Sequence, residues 1–182
     1  IGAGETVVVA SLFAGYVEQY GEEPDFAFRE TTDASKLMVD PGAAIGRTLV
    51  GSNTQLSNDG EGLALFFWDG QSDLVTDIDL VSAGLNPAFY NRLADKTGAS
   101  VDGPDADTAT STYADDAYSF NEVTGDAGNG TSHKRIFLDT EDFEVHDGVG
   151  NGLSGDDETS EQFGDTWDLP SYTAPTPGTI DF

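Results

Sequence analysis

The segment that most constrains the fold runs from Leu56 to Val81, Leu-Ser-Asn-Asp-Gly-Glu-Gly-Leu-Ala-Leu-Phe-Phe-Trp-Asp-Gly-Gln-Ser-Asp-Leu-Val-Thr-Asp-Ile-Asp-Leu-Val. It reads as turn, strand, turn, strand. Leu63–Trp68 is a β-rich run entered through Asn58-Asp59-Gly60 and left through Asp69-Gly70, a dipeptide suited to the positive φ angles of a tight hairpin. Leu74–Val81 alternates, with Leu74, Ile78 and Leu80 on one face and Asp77 and Asp79 on the other, as in a half-buried strand. The first strand is apolar on both faces: Leu63, Leu65 and Phe67 on one, Ala64, Phe66 and Trp68 on the other. Such a strand is expected in the interior, with Leu65, Phe67, Ile78 and Leu80 in the core and Phe66 and Trp68 under a helix or a partner.

The 182 residues fit one domain, long enough to bury roughly 70% of the unfolded surface. Seven Lys plus Arg stand against 34 Asp plus Glu, a formal charge of −27. With 11 Phe, 6 Tyr and 2 Trp the chain has the makings of a core, so it reads as folded rather than as a disordered acidic segment. An acidic surface of this kind repels phosphates and anionic lipids, which excludes nucleic acid as a partner. It suits high salt, where screening shortens the reach of self-repulsion, and equally suits binding of divalent cations. No cysteine is present, so neither disulfides nor thiol chemistry are available. There is no apolar run long enough for a membrane span and no signal-peptide core.

Along the chain, Ile1–Ala10 reads as a strand, and Ser11 as the cap of a short helix, Leu12–Tyr20, that Gly21 ends. Phe13, Val17 and Tyr20 share one helical face, a candidate cover for the Leu63–Trp68 strand. Residues 22–55 form a long excursion with one short strand around Phe26 and Phe28. Asn86–Leu93 has the composition of a helical turn with Pro87 at its first position. Gly98–Asp116 reads as loop, and His133–Leu138 as the last strand. Beyond Asp139 the chain is irregular, anchored by Phe143, Phe163, Trp167 and Tyr172. Residues 1–169 are therefore expected to form the folded domain, and 170–182 a Pro-rich extended tail ending at Phe182.

Catalytic signatures are missing from the sequence. His133 and His146 are the only histidines, and neither sits in a His-Glu-x-x-His pattern. Gly-x-Ser-x-Gly and the phosphate-binding Gly-x-x-x-x-Gly-Lys-Ser/Thr are both absent. Gly148-x-Gly-Asn-Gly152 is glycine-rich but lies in no strand-to-helix context, and no enzymatic activity is expected. Metal binding is the sharper expectation. Asp102, Asp105 and Asp107 in one turn, and Asp156, Asp157 and Glu158 in another, concentrate hard oxygen donors suited to a structural Ca²⁺. Neither turn has EF-hand spacing, and the competing reading is solvated loops whose Asp side chains close Asx-turns. Asn129-Gly130-Thr131 is a glycosylation acceptor triplet.

The Leu56–Leu65 segment with its Asp-Gly turn and the Val/Asp strand beyond resembles the lamin tail domain family. Ile1-Gly-Ala-Gly-Glu-Thr-Val-Val-Val-Ala10, Asp95–Asp107, Gly152–Glu161, Thr166-Trp-Asp168 and Pro175-Thr-Pro-Gly178 are similar to segments of its bacterial members. The resemblance implies an immunoglobulin-like β-sandwich, here mostly β with one short helix and long acidic loops, and a secreted or cell-surface location. The family opens with strands ahead of its Ile-x-x-Gly-Glu segment, and this sequence starts at that segment. An unpaired sheet edge is then expected, completed by self-association or by another protein chain through the edge or the extended tail, with Phe66, Trp68 and Phe182 at the contact. The function implied is a non-catalytic structural, assembly or adhesion module, such as a subunit of an extracellular polymer. The alternative is an accessory domain of a secreted hydrolase of nuclease or phosphoesterase type.

Overall fold

The computed structural model describes residues 2, 4–38, 61–83, 95–103, 105–116, 132–137, 143–167 and 176–178. These fall into two compact units, 2–38 with 176–178, and 61–167. The described chain is rich in short strands and bridges and poor in helix, a mostly β protein. The segments expected around Asn86–Leu93, at Asn129–Thr131 and at Tyr172 and Phe182 lie outside the described residues.

In the first unit, strand β1 (Val9–Leu12) runs directly into helix α1 (Phe13–Tyr20), and strand β2 (Phe26–Arg29) returns beside β1 in parallel. A parallel return needs a crossover of about a dozen residues, which α1 and its exit turn supply. Ala10 lies opposite Ala27, and both are buried, their small side chains leaving room for α1 to pack on the pair. Ala27 also bridges to Leu37 on its far side, donating to the Lys36 carbonyl at 2.8 Å and accepting from Met38 at 2.9 Å. The helix ends as expected at Gly21, whose φ of 78° carries the left-handed turn while its N–H donates to Val17 O at 2.9 Å. It begins differently. Ser11 belongs to β1, the cap position is Leu12, and no side chain caps the helix. The strand also starts later than expected, at Val9.

The second unit contains the expected hairpin. Strand β3 (Glu61–Phe67) and strand β4 (Thr76–Ala83) pair antiparallel, from Gly62 opposite Ser82 to Phe67 opposite Thr76. A bulge falls between Leu65 and Phe66, which pair with Asp79 and Asp77 and leave Ile78 as the extra residue. In the connecting turn Asp69 accepts from the N–H groups of Gln71 and Ser72 and from the Ser72 hydroxyl. Those three bonds hold its carboxyl down at about 2, the Ser72 hydroxyl contributing most. Gly70 follows with φ 81°.

The core expectation for β3 is corrected. Leu65 and Phe67 are exposed, as are Leu63, Phe66 and Trp68, whereas Leu80 and Ser82 of β4 are buried. The reason is the order of neighbours. On the side of β4 away from β3, Asp77 bridges to Gly152 and donates to the Asn151 carbonyl at 3.0 Å. The turns Leu153–Gly155 and Glu158–Ser160 then pack on β4. Among the described residues β4 is thus the inner strand and β3 the outer one, and apolarity on both faces of β3 does not mark interior position. Among the described residues β3 has no second partner.

Two further expectations change. Within Gly98–Asp116 there is a small hairpin, β5 (Ser100–Val101) with β6 (Ser111–Thr112), whose exit residue Tyr113 is buried and accepts the Val75 N–H at 3.0 Å. The expected strand at His133–Leu138 reduces, over its described part, to a bridge from Arg135 to Trp167, with Ile136 and Phe137 both donating to Thr166 O. The irregular end of the chain is anchored by Phe163, fully buried in the one-turn helix α2 (Phe163–Thr166). No described helix is long and apolar enough to cross a membrane.

Candidate metal-binding clusters

The segment 144–158 folds back on itself through an antiparallel bridge between Val145 and Asp157. The intervening loop closes so tightly that only glycine fits at three places. A Cβ on Gly150 or Gly152 would fall 2.3 or 2.7 Å from Asp156 O, and one on Gly155, at φ +85°, 2.4 Å from Gly148 C. This is what the glycine-rich run does: it winds a loop rather than cradling a phosphate. The fold-back places His146 beside Asp156, Nδ1 to Oδ1 at 2.8 Å, and beside Glu144, Nε2 to Oε1 at 2.9 Å. Glu144 is buried and His146 half-buried. One nitrogen and two carboxylates within 4.8 Å of one another are donor types that suit a borderline metal such as Zn²⁺, while in this arrangement both imidazole nitrogens are ion-paired to the carboxylates. His146 carries no ligand pattern in the sequence. Its partners come from the bridge, which sequence spacing does not display.

A second cluster is all oxygen. Asp102 and Asp105 converge with Asp73, which sits just ahead of β4. Asp73 Oδ1 accepts the Gly103 N–H at 2.8 Å, the bond that draws the two loops together. That bond, with help from Ser111, holds the Asp73 carboxyl below the usual carboxylate range. Three carboxylates in turns suit a hard cation of the Ca²⁺ type. Asp107 is not part of the group. It caps its own turn, accepting from Ala109 N at 2.7 Å, while its N–H donates to Asp105 Oδ1 at 3.1 Å.

The expected turn Asp156–Glu158 is divided three ways. Asp156 joins His146. Asp157 is buried and caps the following 3₁₀ turn, its Oδ1 accepting from Thr159 N at 3.2 Å and from Thr159 Oγ1 at 2.6 Å. Glu158 lies with Asp79 and Glu161, a group whose cation is already supplied by the chain. Arg135 donates through both arms to fully buried Glu161, at 2.9 and 3.2 Å, and also to Asp79. Its guanidinium lies 5.1 Å from the centre of the Trp167 ring. That group reads as a structural ion network.

Of the expected contact residues, Phe66 is 55% and Trp68 44% exposed, the indole N–H of Trp68 donating to Ser72 O at 2.9 Å. Comparison with known proteins adds no relative: no protein-family model, curated protein or solved structure matches the chain.

Proposed function

We propose that the chain is a non-catalytic structural and assembly module, of lamin-tail sandwich type, that works at the cell surface or outside the cell. The observation that carries this reading is the edge strand β3. Leu63, Leu65, Phe66 and Phe67 are exposed along one strand whose outer backbone edge has no partner among the described residues, continued by Trp68. An apolar edge strand is a template for another strand. The partner that fits is a second copy of the chain, because the stretch from Gly62 to Trp68 carries no charge of its own to repel an identical strand laid beside it. Repulsion between the acidic surfaces is long-ranged at low salt and reaches only ~3 Å at 1 M, so pairing through β3 is a high-salt event. Sedimentation of the chain across NaCl concentrations tests the proposal.

The acidic clusters belong to the same reading as points of stabilisation. A structural Ca²⁺ at Asp73, Asp102 and Asp105 neutralises carboxylates that otherwise repel and ties the loop ahead of β4 to the 102–105 turn. Calcium at about 100 times its dissociation constant is expected to stabilise the fold by about 2.7 kcal/mol, since only the folded chain presents the site. Thermal melts with EDTA and then with Ca²⁺, at constant ionic strength, measure this. Asp102→Asn together with Asp105→Asn should abolish the calcium response and leave the NaCl response in place.

A further inference from the structure

The chain has no cysteine, so any covalent cross-link within it joins other side chains. One pair is placed for it. Lys96 Nζ lies 2.5 Å from Asp77 Oδ2, with the two side chains only 23% and 15% exposed. Asp77 is fixed in β4, paired to Phe66 on one side and bridged to Gly152 on the other. Lys96 is fixed as well. Its backbone N–H donates to Asp116 Oδ2 at 2.8 Å, and its ammonium lies 5.7 Å from the centre of the buried Tyr113 ring. Asp116 is itself tied down, accepting from the Asn151 amide, while its N–H donates to Thr97 Oγ1 at 2.9 Å. The nucleophilic nitrogen and the carboxyl group are thus held in contact by several separate segments.

We infer that Lys96 and Asp77 join in an intramolecular isopeptide bond. In water an ammonium and a carboxylate remain ionised and do not condense. Here the proton passes from Lys96 Nζ to the Asp77 carboxylate, leaving an amine against a carboxylic acid. The amine lone pair attacks Asp77 Cγ and the N–C bond forms. The C–O bond then breaks, and the departing hydroxyl takes the proton shed by nitrogen and leaves as water. The balance is one ammonium plus one carboxylate to one amide plus one water, with no oxidant, cofactor or net proton.

Burial pushes the Asp77 carboxyl up towards its neutral form; Lys96 pulls the other way, and the charges of Asp116 and Asp157 add to the upward push. Reactants held in contact reach effective concentrations on the order of 10⁵–10⁸ M. The amide also removes two charges from a partly desolvated site. The inference stands on this geometry alone and does not depend on the assembly reading.

Intact-mass spectrometry of the purified full chain tests it. The expected mass is one water below that of the sequence, unchanged by denaturation. A digest should yield one peptide linking residues 77 and 96. Lys96→Arg, which keeps the charge but not the amine, and Asp77→Ala should both return to full sequence mass. A wild-type chain at full mass would overturn the inference. So would a water loss that persists in Lys96→Arg, which marks succinimide formation at an Asp-Gly pair such as Asp69-Gly70.

Discussion

Replacing Arg135 with Ala is expected to destabilise the second unit by about 3–5 kcal/mol, because it strands a buried carboxylate without its counter-charge. Glu161 is fully buried and takes both arms of the guanidinium, with the Thr166 hydroxyl as a further donor. Charge alone is not sufficient at such a place. Arg135→Lys preserves the cation but loses the planar fork and the stacking on Trp167, so it should fall between wild type and Ala. The double variant Arg135→Ala with Glu161→Gln should cost less than the sum of the single changes, since the stranded charge is gone. Urea denaturation reads all four, as midpoint shifts at constant slope.

Phe163→Ala should be nearly as damaging, at about 3–5 kcal/mol, as expected for a large aromatic emptied from a packed site. Phe163 is 0% exposed and starts the turn of helix that presents Thr166 to Glu161. The comparison that gives this value meaning is Phe67→Ala. Phe67 is 58% exposed on the edge strand, and its truncation should cost no more than about 1 kcal/mol. Equal costs at the two positions would contradict the placement of β3 outside β4.

The contrast also shows what sequence can convey. The β3–β4 hairpin was legible because Asp69-Gly70 and the alternation of β4 are local signals, each confined to a few neighbouring residues. Gly21 was legible as a helix stop for the same reason. The interior position assigned to Leu65 and Phe67 failed because burial depends on what lies beyond the strand. Here that is the loop at Asn151–Gly152, seventy-odd residues along the chain. The clusters follow the same division. Asp102 and Asp105 are close in sequence and legible as a pair, whereas Asp73 joins them through a bond to Gly103 that no spacing announces. His146 meets Asp156 only because Gly150, Gly152 and Gly155 let the intervening loop close. The Asp156–Glu158 run looked like one loop, but its three side chains serve three different neighbourhoods.

The central claim, assembly through the edge of β3, is tested most directly by sedimentation velocity of the wild-type chain and Phe66→Asp at low salt and at ~2 M NaCl, where screening is nearly complete. Phe66 is exposed, so the substitution places a charge on the strand without emptying the core. The account predicts monomers of both proteins at low salt, dimers or larger particles of the wild type alone at high salt, and monomeric Phe66→Asp throughout. A wild-type chain that stays monomeric at every salt concentration, or a Phe66→Asp chain that associates as the wild type does, would contradict it.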